Sequence, residues 1–316
     1  MQHKTFSELT ESSLRMNPHI VGILLKELVR RAMEAIRGQR FIFEATPKDT
    51  PGRTNDLVTS ADLAAQEIYV RGILECLPGA GIVGEEHDLL VECTLEGDLE
   101  LYVFIDPLDG TKAFARRQAH GVATQIALGT VDENRDVTIL AAFVGDVSTG
   151  EIYGFRPDGK YVHRITNLVA SEHLSKLKRK PPQESLVVSR QHPDQFSSKL
   201  LRWLLRPQEQ GGLCRDLLIT NGSATLTAAH LWRGEAAVQV SEPFRETPWD
   251  LAPLVGIYRR LGFVPLRVTT SGDNFIPYDM RVPLSHPRDR IEPIIWVHAG
   301  QVQSVQDWAL HVPWYG

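Results

Sequence analysis

The sequence has few cysteines, no long apolar run and no large excess of charge of either sign. Its three cysteines, Cys76, Cys93 and Cys214, are odd in number and match neither a CxxC metal site nor a disulfide framework. Reduced cytosolic thiols are the simplest interpretation. The polar N-terminus has no apolar signal core, and no apolar run reaches the roughly 18 residues of a membrane span. We therefore expect a cytoplasmic protein without a membrane partner.

The charge balance argues against nucleic acid as a partner. The chain has 34 basic and 39 acidic residues and a formal net charge of −5. Binders of polymeric nucleic acid usually present a strongly basic surface. A small anionic substrate is compatible with this balance if cations bridge it to the acidic groups.

The length of 316 residues, with 42% hydrophobic residues, predicts two packed lobes. We expect an N-terminal α+β lobe over residues 1–165, in which helices pack on a largely antiparallel sheet and which carries most of the candidate metal ligands. We expect a C-terminal α/β lobe over residues 166–316, because strands and helices alternate there.

Local sequence patterns predict the bounds of two helices and one loop. Apolar residues at helical spacing predict a helix over residues 19–37. Pro, Gly, Thr and Asp predict a loop over residues 46–55. A further helix is predicted over residues 193–205.

Residues 104–115 read FIDPLDGTKAFA, in which an apolar strand ends on two aspartates, Asp106 and Asp109. Glu85 also follows a predicted strand, whereas Asp62 and Asp250 lie in the first turns of predicted helices. Strand ends and helix starts are where α/β folds gather their sites. Carboxylates with open water positions suit Mg²⁺, and the lack of a His/Cys cluster argues against zinc. The pattern therefore predicts a site for divalent cations.

Gly110 and Thr111 add a predicted phosphate site to this segment. Glycine lets the backbone approach a ligand closely, and Thr111 begins a predicted helix whose free N–H groups would face an anion. Metal ligands and a phosphate cradle within six residues are the parts that phosphoryl transfer requires.

Structural roles could also explain each residue separately: turns for Asp106, Asp109 and Glu85, a capping box for Asp62, helix-dipole pairing for Asp250, and a helix cap for Ser223. Together these explanations require independent coincidences at several positions, so we favour the shared site.

Five motifs, in chain order, resemble those of the inositol monophosphatase superfamily of Mg²⁺-dependent, lithium-sensitive phosphomonoesterases. They are DLVTSAD (56–62), VGEE (83–86), IDPLDGT (105–111), GSA (222–224) and WDLA (249–252). IDPLDGT is highly specific, and the match spans most of the protein. The resemblance implies a layered α-β-α-β-α sandwich of α+β and α/β character, often assembled as a homodimer.

The resemblance also implies a role for each matched residue. A first metal ion would be held by Glu85, Asp106 and the carbonyl of Leu108. A second would be held by Asp106, Asp109 and Asp250. Glu85 would also touch a third ion through water, which gives it a catalytic as well as a ligand role. Two or three Mg²⁺ ions are thus expected, with Mn²⁺ as an alternative.

Catalysis and substrate binding would involve a second group of residues. Asp62 and Thr111 would orient and deprotonate the attacking metal-bound water. Gly110 and Thr111 would bind phosphate through their N–H groups, and Ser223 and Ala224 would contact the substrate.

Three regions depart from the family pattern. The segment before Asp56 is long, so Lys48 has no certain family equivalent. Between the predicted strand and helix at 240 and 249, Glu242 and Glu246 are both candidates for a substrate-selecting glutamate, and neither aligns cleanly. Residues 266–293 also look atypical.

We expect a phosphoric monoester hydrolase acting on inositol monophosphate or a similar polyol phosphate. A 3′,5′-bisphosphate nucleotide, histidinol phosphate and a sugar bisphosphate such as fructose bisphosphate stay open as substrates. Outside this class, a non-catalytic phosphate-binding relative is the alternative. The presence of every expected metal carboxylate argues against it.

Overall fold

A computed structural model describes residues 17–48, 56–95, 100–166, 170–245, 247–284 and 290–312. The helices are α1 (Pro18–Gln39), α2 (Ser60–Cys76), α3 (Thr111–Ala115), α4 (Lys199–Leu204), α5 (Ala224–Trp232), α6 (Pro248–Arg260) and α7 (Val302–Ala309).

The strands up to residue 173 are β1 (Ala45–Lys48), β2 (Asp56–Thr59), β3 (Gly81–Gly84), β4 (Leu90–Val91), β5 (Glu100–Asp109), β6 (Ala123–Val131), β7 (Val137–Asp146), β8 (Ile152–Phe155), β9 (His163–Thr166) and β10 (Ala170–His173). The later strands are β11 (Leu186–Ser189), β12 (Asp216–Ile219), β13 (Ala236–Val240), β14 (Phe244–Arg245), β15 (Phe263–Val268), β16 (Phe275–Pro277), β17 (Arg290–Ile291) and β18 (Ile294–His298).

The first large sheet has eight strands in the order β10-β9-β8-β7-β6-β5-β3-β4. Its neighbouring strands are antiparallel except for the parallel pair β3–β5. Both faces are buried, since helices pack on each of them. Successive side chains along each strand point to opposite faces. On β5, Val103 and Ile105 pack in the core formed with α1 and α2, whereas Tyr102 and Phe104 pack in the core formed with α5 and α6.

The second large sheet has six strands in the order β12-β11-β13-β18-β15-β16. The β11–β12 and β11–β13 pairs are parallel, and the others are antiparallel. Its inner face contributes Val188 and Trp296 to the core with α5 and α6. Its outer face packs with α4 and α7 through residues such as Leu200 and Val305.

The layers therefore run helix, sheet, helix, sheet, helix, and the expected α-β-α-β-α sandwich is confirmed. The division into lobes at residues 165 and 166 stays a prediction. The eight-stranded sheet continues to His173, beyond that boundary.

Local signals explain how the helices nearest the site begin. Asn17 accepts a hydrogen bond from the N–H of His19 at 2.8 Å, and Pro18 follows as the first residue of α1. The predicted helix over 19–37 is thus confirmed. Helix α2 begins with a capping box between Thr59 and Asp62.

Two predicted elements differ from the structure. The predicted helix over 193–205 is interrupted: a 3₁₀ turn covers Pro193–Gln195, and α4 begins only after Ser198, whose hydroxyl accepts from the N–H of Leu201. In the predicted loop over 46–55, β1 extends to Lys48 and pairs with β2, whereas residues 49–55 lie outside the described part. None of the described helices is long and apolar enough to cross a membrane.

Candidate active site

A cavity of about 790 Å³ lies where the carboxyl ends of β3 and β5 face the amino ends of α5 and α6. The sequence-predicted residues in its lining are Glu85, Asp106, Leu108, Asp109, Gly110, Thr111, Ala224, Glu242 and Asp250. Asp62 and Ser223 are buried and reach this lining through hydrogen bonds. Glu246 lies outside the described residues.

Asp62 and Thr111 form a hydrogen-bonded pair at the edge of the cavity. The Thr111 hydroxyl lies 3.1 Å from Asp62 Oδ1 and 3.0 Å from the carbonyl oxygen of Leu108, and can donate to either acceptor. The N–H and hydroxyl of Thr59 donate to the other oxygen of Asp62, at 2.9 and 2.5 Å. Burial raises the pKa of Asp62 to about 6, although these hydrogen bonds oppose the rise. Asp62 can therefore exchange a proton near neutral pH.

Asp106 is the buried centre of the acidic cluster, with 1% of its surface exposed. Burial raises its pKa well above the ordinary value, and the negative charges of Glu85, Asp250 and Asp109 raise it further. Asp106 Oδ2 accepts from the side-chain amide of Gln125 at 2.9 Å, and the same amide lies 3.4 Å from Asp250 Oδ1. One neutral amide thus bridges two carboxyl groups that come from different layers.

Lys48 supplies a positive charge on the β1 side of the cluster. Its ammonium lies 3.3 Å from Glu85 Oε1 and 3.1 Å from Glu86 Oε2. Burial lowers the pKa of Lys48, but the two glutamates outweigh burial and the net shift is upward. For Glu85, burial is the larger effect and raises its pKa to about 7, because Lys48 compensates only part of it and Asp250 adds repulsion. One lysine therefore does not neutralise the cluster.

The amino end of α5 holds Asp109. Asp109 Oδ2 accepts from the Ser223 hydroxyl at 2.5 Å and from the N–H of Thr225 at 3.0 Å, and Oδ1 accepts from the N–H of Ala224 at 3.3 Å. Ser223 also accepts from the N–H of Leu226, so it caps the helix as well. The predicted substrate contacts of Ser223 and Ala224 stay predictions, since here both residues bind Asp109.

Asp250 lies in the first turn of α6 and is held by the residue that precedes this helix. Its Oδ2 accepts from the Thr247 hydroxyl at 2.5 Å, just before α6. The carboxylates of Asp109 and Asp250 therefore both accept hydrogen bonds from hydroxyl groups.

The donor set suits a hard divalent cation. It consists of the oxygens of Glu85, Asp106, Asp109 and Asp250, with the Leu108 carbonyl beside them, and oxygen ligands of this kind are what Mg²⁺ prefers. A bound cation would relieve the repulsion between the buried Asp106 and the neighbouring carboxylates. Within the described ranges, no three His, Cys, Asp or Glu side chains are already arranged as a metal-ligand group.

Three glycines bring the two sheets into close contact beneath the cavity. Gly110, Gly121 and Gly222 all have positive φ, at +97°, +84° and +78°. A Cβ on Gly110 or Gly222 would lie 2.2 or 2.3 Å from the carbonyl oxygen of Gly121, which also accepts from the N–H of Ser223 at 2.9 Å. Only glycine permits both this backbone conformation and this approach.

Glu242, one of the two candidate selecting glutamates, forms an ion pair with Arg190. Arg190 also donates to the carbonyl oxygen of Gly222 at 2.5 Å. The carboxyl group of Glu242 thus lies in the cavity lining with a cation beside it.

Sequence reasoning missed Gln125, Thr225 and Arg190 as parts of this site, and it left the role of Lys48 open. Thr225 donates to Gln125 Oε1 at 2.8 Å and so orients the amide towards the carboxylates. The available signal was a glutamine inside the otherwise apolar strand β6, since a buried polar side chain requires partners. Thr225 and Arg190 carry no comparable local signal.

The comparisons with known proteins concern the family and the fold of the chain. The sequence model of the inositol monophosphatase family matches residues 21–293. The inositol-1-monophosphatase of Bacillus subtilis (strain 168) is 27% identical over 232 residues, which cover 72% of this chain and 78% of that protein. The fold is similar to the IMPase of Thermotoga maritima, with a TM-score of 0.62 at 20% identity, over 90% of this chain and 95% of that one.

A further solved structure is an IMPase/NADP phosphatase complexed with Mg²⁺ and phosphate. Its TM-score is 0.63 at 14% identity, over 92% of this chain and 95% of that one. The chain belongs to the inositol monophosphatase family of phosphoric monoester hydrolases.

Proposed function

We propose that this protein is a Mg²⁺-dependent phosphomonoesterase that hydrolyses a small polyol phosphate, with inositol monophosphate as the reference substrate. The observation that carries the proposal is the cluster of Glu85, Asp106, Asp109 and Asp250 lining one cavity, with the Asp62–Thr111 pair at its edge. The binding of Mg²⁺ and phosphate by a structurally similar phosphatase supports it.

The metal ligands follow from the donor atoms. Glu85, Asp106 and the Leu108 carbonyl would hold one ion, and Asp106, Asp109 and Asp250 a second. Bound Mg²⁺ would neutralise phosphate charge and make water acidic enough to attack near neutral pH. Lys48 would hold Glu85 and Glu86 in place, because its ammonium contacts both.

The chain's own groups would then place the water and receive its proton. The Thr111 hydroxyl would donate to Asp62 Oδ1, 3.1 Å away, while its oxygen accepts from the water. As the water proton moves to Thr111, the hydroxyl proton of Thr111 would pass to Asp62. A pKa of about 6 lets Asp62 hold that proton transiently. The backbone of Gly110 and Thr111 would bind the phosphate oxygens. No side chain is required as a nucleophile.

Other parts of the proposal come from the family resemblance. We infer that Mn²⁺ can replace Mg²⁺, that Li⁺ inhibits turnover, and that the protein is a cytoplasmic homodimer.

Phosphate release tests the proposal directly. Purified protein is incubated with inositol 1-phosphate and a panel of small phosphate esters, with Mg²⁺, Mn²⁺, Mg²⁺ plus Li⁺, or EDTA. We expect Mg²⁺-dependent release that EDTA abolishes and Li⁺ lowers. Absence of metal-dependent release from every ester, with phosphate still bound, would instead support a non-catalytic phosphate-binding relative.

A further inference from the structure

Gln125 contacts the acidic cluster but does not line the cavity. Its side chain is fully buried, and it is not among the residues that surround the cavity. On β6 it is the register partner of Asp106 on β5, so the two side chains lie on the same face of the sheet. Gln125 can therefore act on the site only through the groups that it contacts.

The neighbours of the Gln125 side chain fix which way its amide points. Its NH₂ group lies 2.9 Å from Asp106 Oδ2 and 3.4 Å from Asp250 Oδ1. Its carbonyl oxygen accepts from the Thr225 hydroxyl at 2.8 Å. Ionised carboxylates accept hydrogen bonds but cannot donate them, so a reversed amide would place its oxygen against two acceptors. The N–H groups of the amide therefore face the two carboxylates.

The two carboxylates come from different layers of the molecule. Asp106 lies on β5 and Asp250 in the first turn of α6, so neither the sheet nor the helix alone fixes their separation. Their negative charges repel each other. An amide can donate to both without adding a positive charge that would repel an incoming cation.

The hydrogen bonds to Asp106 leave room for a metal ion. Oδ1 accepts from the N–H of Leu108 at 2.9 Å, and Oδ2 accepts from Gln125. A carboxylate has about four lone-pair sites. Each oxygen of Asp106 can therefore hold its hydrogen bond and bind a metal ion as well.

We propose that Gln125 is a positioning residue that holds Asp106 and Asp250 at the separation at which they share the second metal ion. This inference rests on the proposed function, in which both carboxylates are ligands of one Mg²⁺. Thr225 would support Gln125, because its hydroxyl holds the amide oxygen. Removing the hydrogen-bond partner of a metal ligand typically lowers metal affinity or activity about 10- to 100-fold.

Metal binding tests the inference without turnover. Mn²⁺ is titrated by calorimetry into the wild type and into Gln125→Met, which keeps the length of the side chain and removes both N–H donors. We expect the dissociation constant of one binding step to rise about tenfold or more, and that of the other to change less than about threefold. Thr225→Val removes the hydroxyl but keeps the N–H that donates to Asp109. It should raise the same constant about two- to fivefold.

Phosphate release supplies a second readout, which a purely structural residue would not change. In Gln125→Met, the Mg²⁺ concentration for half-maximal release should rise about tenfold. Saturating Mg²⁺ should restore most of kcat, because the metal ligands themselves are still present. KM for the ester should stay close to that of the wild type, since Gln125 does not line the cavity.

Thr124→Val is the matched control. Thr124 precedes Gln125 on β6 and is equally buried, but its side chain points to the opposite face of the sheet, where its hydroxyl lies 2.7 Å from that of Tyr69. The variant loses a buried hydrogen bond from the same strand. It should therefore lower the free energy of unfolding in urea and leave both Mn²⁺ dissociation constants unchanged.

The outcomes separate this inference from the proposed function. Mg²⁺-dependent release, with Mn²⁺ constants that change less than about threefold in Gln125→Met, would overturn the positioning role and leave the phosphatase proposal intact. An equal loss of affinity in Thr124→Val would also overturn it, since the loss of any buried hydrogen bond would then suffice.

Two other results bear on the proposed function as well. If Gln125→Met weakens Mn²⁺ binding but no ester in the panel releases phosphate, the positioning role stands and the proposed function is wrong. Absence of Mn²⁺ binding to the wild type would overturn both. Circular dichroism checks that Gln125→Met is folded; if it is not, an unchanged Mn²⁺ affinity in Thr225→Val would overturn the positioning role, and a raised constant would support it.

Discussion

Replacing Asp62 by Asn separates the function of this residue from its effect on stability. Asp62 is fully buried and its carboxyl group has a pKa of about 6, against 3.8 for an ordinary aspartate. The difference of about two units, at about 1.4 kcal/mol each, means that the charged form costs the folded state about 3 kcal/mol at pH 7. The folded metal-free protein should therefore gain stability when this carboxyl is removed.

The gain in stability from removing this carboxyl depends on pH. An acid whose pKa is raised by folding stabilises the protein below the unfolded pKa, and this contribution is lost as pH rises from about 4 to about 6. With its oxygen in the place of Oδ2, Asn can still accept from the N–H and the hydroxyl of Thr59, and the Thr111 hydroxyl can rotate to accept from its amide in the place of Oδ1. We expect Asp62→Asn to raise the unfolding free energy by about 1–3 kcal/mol at pH 7 and by almost nothing at pH 4.

Urea unfolding in EDTA at pH 4, 5, 6 and 7 measures this difference. Glu67→Gln is the control, because Glu67 is an exposed carboxyl on the same helix. Phosphate release by Asp62→Asn should fall at least about 100-fold if it receives the proton. If the variant is less stable than wild type at pH 7, the charged Asp62 does not destabilise the folded protein. If the variant is equally active, Asp62 is not the proton acceptor.

Two further substitutions test the metal ligands and the glycine contact. Asp109→Asn should retain the fold by circular dichroism and lower kcat at least about 100-fold, because one metal carboxylate is lost; near-normal turnover would contradict the ligand assignment. Gly121→Ala should lower the unfolding free energy by about 1–3 kcal/mol in urea, since its Cβ would lie 2.7 Å from the carbonyl oxygen of Asn221 at a positive φ. Gly38→Ala is its control, with nothing within 4 Å of the added Cβ, and a loss as large there would remove the steric explanation.

The sequence predicted those parts of the site that depend on short segments. Asp106, Asp109 and Gly110 belong to one strand end, and the glycine requires its left-handed φ of +97° within the same segment. The layer order was predicted from the family resemblance, whereas helical and strand periodicities predicted only the types of element in each half of the chain.

The contacts between distant segments were not predictable in the same way. Gln125 bridges Asp106 and Asp250 because β6 lies next to β5 and α6 packs against both strands. Arg190 meets Glu242 because β11 and β13 are parallel neighbours whose ends point the same way. Such pairs depend on sheet order, which no local pattern encodes.

The most direct test of the account is to locate the bound ions. Crystals grown with Mn²⁺ in place of Mg²⁺, measured at the manganese absorption edge, would show them by anomalous scattering. We expect two or three peaks, each at about 2.0–2.3 Å from oxygens of Glu85, Asp106, Asp109 or Asp250. A well-ordered structure grown at saturating Mn²⁺ with no peak near these four carboxylates would contradict the central claim.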